Sequence, residues 1–377
     1  RFARGVLPPW TPAVGTRVSS ALVDHASRRT RLASRLGDLQ AEAFLVTRLP
    51  NVRYLTGFTG SNGQFILRSA DGIFLTDGRY AEQARHEAPD LNRTVYSGQF
   101  ARAFGEACAD LGVHTIAFEA SGVSYKLYTE LLATGVELIP TTDEVESLRT
   151  IKDPEELRAV EAAQAVADDA FEAIVLKLSE GVTEKEIALE LDTTMRRLGA
   201  DALAFETILA FGESAAEPHH TPSERALLRG DVVKMDFGCV VDGYHSDMTR
   251  TVFFGDPSAD LRAVYEIVRT AQQVGVETAR PGISGSELDG VVRGVIKEAG
   301  YGDQFGHGLG HGVGLEIHEA PWLRVGGKDV LAEGTVVTVE PGIYLAGVGG
   351  VRIEDMVALT ADGCRVLPGT PKELLIL

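Results

Sequence analysis

The sequence predicts two domains in series, an α/β domain at the N-terminal end and a larger α+β domain after it. Three observations predict this. The 377 residues exceed the usual size of one domain. From about Ala43 to Pro140, short apolar strands alternate with helical stretches. Beyond that point, long capped helices are followed by apolar strands that contain acids. The expected division is an arm over residues 1–20, a first domain over 21–147 and a second over 148–377.

The opening RFARGVLPPWTPAVG lacks the apolar stretch of a secretion signal and reads as a loose arm. In the first domain AFLVT, GQFILRS, GIFLTD, TVYS, TIAFEA and VELIP read as strands. YAEQARHEA, FARAFGEACADLG and SYKLYTELLATG read as helices between them. A boundary falls in TTDEVESLRTIKDPEEL, where Asp153, Pro154 and Glu156 form the signature of a capped helix start. That helix continues through AVEAAQAVADDAFEAIVLKL, and Thr183 with Glu186 opens a second one. The strands ETILAFG, VVKMDFGCVV and MTRTVFF follow, then helices around Leu261–Val274 and Gly285–Ala299. TVVTVEPGIYL and GVRIEDMVAL are the last long strands.

Composition excludes several classes. With 44% hydrophobic residues the chain can bury a large core, yet no apolar run reaches the ~20 residues a membrane helix needs. The formal charge of −18, from 36 basic and 54 acidic residues, disfavours nucleic acid and anionic membranes as partners. Cys108, Cys239 and Cys364 are odd in number and widely spaced, so they suggest no disulfide framework, and a reducing cytoplasm is the simplest home.

The chemistry lies in the second domain. MDFGCVVDGYHSDM carries Asp236 and Asp247, and VEPGIYLAGVGGVRIEDM carries Glu340 and Glu354. Each stretch reads as two strands and a turn, with an acid on both strands. Residues facing each other across a hairpin lie within about 5 Å, so each unit can aim two carboxylates at one point. Acids in strands this apolar either point outward or are paired or bound to something. Their pairing in two similar hairpins favours the second alternative.

Between the hairpins lies GHGLGHGVGLEIHEAP, with glycine at every second position from Gly306 to Gly314. His307 and His311 stand at i and i+4, but five glycines exclude a helix, since each costs about 1 kcal/mol there. His318-Glu319 is not half of a helical H-E-x-x-H motif either, because Trp322 occupies the second histidine's place. The histidines therefore sit on extended backbone that other groups can approach closely. Of nine histidines, six (His219, His220, His245, His307, His311 and His318) fall within this half of the chain.

Four carboxylates beside an imidazole carry too much negative charge to stay ionised together without cations. Two divalent ions with bridging carboxylates resolve this. Oxygen-rich ligation with no thiolate favours Mn²⁺, with Co²⁺, Fe²⁺ or Zn²⁺ as substitutes. Two close metals activate water and stabilise a developing oxyanion, which points to hydrolysis.

KMDFGCVVDGYHSDMTRT, GHGLGHGVGLEIHEAP, VEPGIY and RIED resemble the motifs of the pita-bread metallopeptidases, in the proline-specific branch of Xaa-Pro aminopeptidases and prolidases. The resemblance implies metal ligands at Asp236, Asp247, His311, Glu340 and Glu354, with Asp247 and Glu354 bridging. It makes Glu340 the proton acceptor from the nucleophilic water, and gives His219 and His318 contacts to substrate and oxyanion. His307 then lines the pocket on the proline side, and Arg352 steadies the acids. His219 rather than His220 takes its role because it stands fourteen residues after Phe205, the motif spacing. Phe205 takes the place of a tyrosine that in many relatives holds the substrate's amino end, so recognition there is expected to differ. His245 has no motif role.

The first domain resembles the creatinase-type module of the same family. NVRYLTGFTGSNG and LTDGRYAEQA are closer to aminopeptidases P than to typical prolidases, and Arg79 and Tyr80 read equally as packing residues or as reaching a neighbouring subunit's site. The main expectation is therefore an Xaa-Pro aminopeptidase, acting on peptides with proline at the second position and forming a homodimer. A prolidase restricted to dipeptides is the alternative. A non-peptidase module on the same fold is the reading from another class, and the intact set of five ligand positions argues against it.

Overall fold

A computed structural model describes residues 23–69 and 71–377; the arm expected over 1–20 lies outside the described residues. These form two compact units that divide between Thr150 and Ile151.

The first unit runs α1 (His25–Ala33), β1 (Ala43–Val46), α2 (Leu49–Thr56), β2 (Gln64–Arg68), β3 (Asp71–Asp77), α3 (Ala81–Glu87), β4 (Asn92–Tyr96), α4 (Phe100–Leu111), β5 (Thr115–Glu119), α5 (Tyr125–Leu132), β6 (Glu137–Thr141) and α6 (Glu146–Arg149). Its single sheet has the order β4-β3-β2-β1-β5-β6. β1, β5 and β6 are parallel, and β2 is antiparallel to both its neighbours. Leu45, Ile66, Leu75, Ile116 and Phe118 of the sheet pack with Phe104 and Ala107 of α4. The predicted strands and helices are present. α1 and α2 add to them, the latter starting with proline in its first turn and ending on Gly57 in the left-handed region.

NVRYLTGFTGSNG and LTDGRYAEQA turn out to be partners in one local network. The Asn62 amide donates to Asp77 at 2.6 Å and the Thr76 hydroxyl to the Asn62 carbonyl at 2.6 Å. Asp77 in turn holds the guanidinium of Arg79 at 2.7 Å, and Ser61 and Tyr80 share a hydroxyl hydrogen bond.

The second unit runs α7 (Pro154–Val175), α8 (Glu184–Arg197), β7 (Ala202–Leu203), β8 (Ile208–Phe211), β9 (Asp231–Phe237), β10 (Cys239–Val241), β11 (Tyr244–His245), β12 (Met248–Phe254), α9 (Ala259–Thr278), α10 (Gly285–Glu298), β13 (Gly310–Gly312), β14 (Glu319–Leu323), β15 (Val336–Val339), β16 (Gly342–Leu345), β17 (Gly349–Arg352), β18 (Asp355–Thr360) and β19 (Gly363–Val366). Both predicted capping boxes are present, Asp153 with Glu156 and Thr183 with Glu186.

Two sheets face two helix pairs. α7 and α8 cover β8, β9 and β12 through Ala163, Ala167, Leu191, Leu209, Met235 and Val252. α9 and α10 cover the five-stranded sheet β14-β13-β15-β18-β19 through Val268, Leu288, Val292, Val337 and Val357. Among the described residues no helix is long and apolar enough to cross a membrane.

Three long strands expected from the sequence are each broken in two. VVKMDFGCVV breaks at Gly238, TVVTVEPGIYL at Glu340-Pro341 and GVRIEDMVAL at Ile353-Glu354. Proline has no N–H for a ladder, which ends β15. At Gly238 the Ser246 carbonyl comes so close that a Cβ would have no room.

The glycine–histidine segment is not helical, as expected, but it is extended only at Gly310–Gly312, where His311 is central in β13; His307 and His318 stand at bends outside that strand. Its glycines serve close approach. A Cβ on Gly310 would strike the Thr338 carbonyl, and one on Gly312 the carbonyl of Ala320, whereas Gly306 has nothing within 4 Å. Gly310→Ala is therefore expected to destabilise the protein by about 3 kcal/mol, the scale of forced overpacking. Gly306→Ala should stay within about 0.5 kcal/mol of the parent. Equal melting temperatures for the two variants would contradict the close-approach account.

Candidate metal centre

Strand register brings the acids together. Asp236 on β9 pairs with Ile208 of β8 on one side and Thr249 of β12 on the other, and Asp247 stands in the turn just before β12. In the other hairpin Val339 faces Asp355 and Gly342 faces Arg352. The same register carried through the break sets Glu340 opposite Glu354. Both strand breaks in this hairpin thus fall on acids.

Ligand-capable oxygens of Asp236, Asp247 and Glu354 all lie within 4.8 Å of one another. His311 Nε2 stands 3.6 Å from Asp247 Oδ2 and 3.5 Å from Glu340 Oε1. Its Nδ1–H donates to the Gly312 carbonyl at 3.0 Å, which leaves the Nε2 lone pair facing the acids. Two threonines brace the carboxylates, Thr249 donating to Glu354 at 2.7 Å and Thr338 to Glu340 at 3.1 Å. Arg352 pairs with Asp236 Oδ2, and its Nε–H donates to the Thr249 hydroxyl at 3.0 Å.

Burial, followed by the neighbouring carboxylates, pushes Asp247 and Glu354 well above the usual carboxylate range. Burial lifts Glu340 to about 8, with Arg352 opposing the shift and Asp236 adding to it. Burial, then His318, brings His311 down to about 4, so it is a neutral donor at neutral pH. Asp236 Oδ1 is buried with no hydrogen-bond partner among the described residues. Carboxylate oxygens, one neutral imidazole and no thiolate suit borderline or hard divalent cations. Such cations would satisfy the orphaned buried oxygen and relieve the repulsion between its neighbours.

All ten residues singled out in the sequence line one cavity of about 480 Å³, within the range of small-molecule sites. The His318 ring lies 4.3 Å from that of His311. His307 donates through Nδ1 to the Gly308 carbonyl at 2.8 Å, and its Nε2 meets the Tyr344 hydroxyl at 2.9 Å. Phe205 and His219 line the cavity as well. His220 also lines it, but its ring nitrogens are taken by Glu217 at 2.7 Å and Glu184 at 2.9 Å. His245 is a bracing residue, with its Nδ1 and its backbone N–H both on the Gly314 carbonyl at 3.0 and 2.9 Å.

Three further residues belong here. Tyr344 accepts from Arg352 at 2.7 Å and so joins Asp236 to His307 through two intervening side chains. Lys234, fully buried two positions before Asp236, directs its ammonium at the Glu217 carbonyl and lies 5.3 Å from the Tyr344 ring centre. Arg324 lines the cavity with its guanidinium 5.4 Å from the Trp322 ring centre.

Residues 158–361 match the model of metallopeptidase family M24, and residues 28–151 that of the creatinase/prolidase N-terminal domain. A Xaa-Pro dipeptidase of Pyrococcus horikoshii is 37% identical over 89% of this chain and 94% of its own. The structure of a Xaa-Pro dipeptidase from Bacillus anthracis superposes with a TM-score of 0.92 at 40% identity, covering 94% of this chain and all of that one. The structure of an X-Pro aminopeptidase from Thermotoga maritima does so with 0.86 at 37%, covering 92% of this chain and 99% of that one. The pita-bread and creatinase-type expectations therefore hold, and the chain belongs to metallopeptidase family M24.

Proposed function

We propose that this chain is a Xaa-Pro dipeptidase working with two divalent cations, Mn²⁺ being the ion best matched to the donors. The observation that carries the reading is the cavity in which four carboxylates converge on one neutral imidazole. Relatives named Xaa-Pro dipeptidase share its fold over almost their whole length.

The dipeptide restriction, second in the sequence analysis, moves to first place here. The stretches that weighed towards an aminopeptidase form a network of the first unit's own side chains, so they carry no information on peptide length. Arg324, meanwhile, lines the cavity and pairs with no carboxylate among the described residues. A free carboxylate directly after proline exists only in a dipeptide, and a guanidinium is its natural counter-ion.

In this reading Asp236, Asp247, His311, Glu340 and Glu354 would together hold the two ions. The bound cations supply Lewis acidity and a nucleophile at neutral pH. Glu340 accepts the proton of the attacking water. His318 and His219 donate to the carbonyl oxygen as it becomes negative. His307, backed by Tyr344, walls the pocket for the proline ring. Arg352 holds Asp236 in its ligating position, and Phe205 presents an apolar face to the first residue.

Hydrolysis of Ala-Pro, Ala-Pro-amide and Ala-Pro-Ala, with Mn²⁺ supplied and with metal stripped, tests this. Metal-dependent cleavage of Ala-Pro is expected, at a kcat/KM a few-fold above that of the amide, about 1 kcal/mol for a rim-exposed ion pair. Equal or faster cleavage of Ala-Pro-Ala would make the protein an aminopeptidase instead.

The raised carboxyls also predict a pH dependence. Glu340 at about 8, with Asp247 and Glu354 likewise raised, binds protons in the metal-free fold that the unfolded chain would already have lost. Their protonated state favours the metal-free fold below about pH 4, and that contribution disappears as pH climbs through 8. Cations compete with those protons. The rise in melting temperature caused by Mn²⁺ should therefore grow steadily from pH 5.5 to 8; a constant or shrinking rise would contradict the assignment.

A further inference from the structure

We propose that His220 and Glu184 are positioning residues that hold His219 over the catalytic cavity. The inference rests on the role given above to His219. His219 itself is exposed and makes no hydrogen bond among the described residues, so its place depends on the backbone on either side. It lines the same cavity as His307 and His318.

The loop carrying it is pinned from two directions. On its N-terminal side the Pro218 carbonyl accepts from Lys234 at 3.4 Å and from both terminal nitrogens of Arg352 at 3.3 and 3.4 Å. Arg352 also holds Asp236, so this pin is shared with the acid cluster. On its C-terminal side the anchor is the His220 side chain, which bridges the Glu217 and Glu184 carboxylates.

Glu184 is the fixed point. It is fully buried in the first turn of α8, and its oxygens accept from four donors. The Phe211 N–H at the end of β8 reaches it at 2.8 Å. The Ser223 N–H at 2.9 Å and the Ser223 hydroxyl at 2.6 Å grip the loop four residues past His219. His220 at 2.9 Å grips it one residue past. A carboxylate buried this deeply persists only because every donor is in place, so the node is rigid. An irregular loop without such anchors would be mobile. Burial works against a charged His220, but the two carboxylates outweigh it, and the imidazolium offers an N–H to each.

The alternative is that this network serves stability alone. A double-mutant cycle on kcat for Ala-Pro separates the two, with bound metal measured in every variant. His219→Ala should lower kcat by about a hundredfold, the scale of a lost oxyanion donor. His220→Ala should lower it by about tenfold in the parent and not at all in the His219→Ala background, because it acts through His219. Glu184→Gln, which keeps the shape and removes the charge, should show the same loss and the same non-additivity, and it serves if His220→Ala fails to fold. A tenfold loss from His220→Ala in both backgrounds, or no loss in the parent, would overturn the proposal. An unchanged kcat in His219→Ala would overturn the role of His219 first, and this inference with it.

Discussion

The second unit depends on one constraint: four carboxylates must be held around a single point inside an apolar fold. Burial and mutual repulsion oppose this, and they push the Asp247, Glu340 and Glu354 carboxyls above the usual carboxylate range. Much of the surrounding architecture follows. Glu340 and Glu354 stand at strand breaks opposite one another, while Asp236 lies within β9 and Asp247 just before β12. Glycines line the His311 strand because the carbonyls of Thr338 and Ala320 lie against it.

A second layer of ionised groups holds the first. Arg352 joins Asp236 to Tyr344, and Tyr344 joins it to His307. Behind Glu354, Arg250 donates to its carbonyl and to Asp355 at 2.8 Å, and Asp355 accepts also from Gln272 at 2.8 Å. Lys152 and Glu319, both buried, pair at 2.8 Å next to His318. The same device recurs in each case: a buried charge paired with an opposite one, beside a residue that faces the cavity. Such pairs add little net stability, but breaking one leaves an uncompensated charge, so they specify geometry.

What was legible in the sequence follows from this. Asp236 and Glu340 stand out because acids do not otherwise occur in strands as apolar as VVKMDF and TVVTVE. Lys234 gives the same signal, a charge in the same apolar strand on the same face as Asp236, and that signal suffices to find it. Tyr344 and Glu184 give none. A tyrosine is an ordinary strand residue, and a glutamate in the first turn of a helix looks like a favourable match to the helix dipole. The alternating pattern of the first unit predicted its sheet, whereas α2 is short and carries no clear period. Peptide length was not legible, since Arg324, the residue proposed above to meet the dipeptide's carboxylate, is exposed and lies just past the end of β14.

The most direct test of the central claim is metal stoichiometry. The protein should be stripped, reloaded with Mn²⁺, dialysed and assayed by inductively coupled plasma mass spectrometry, beside Glu354→Gln with its melting curve as a check on folding. Two ions per chain in the parent, and a clear loss in a folded Glu354→Gln, is the predicted result. A parent that retains no metal, or a variant that retains the full two, would contradict the account of why these acids are buried together.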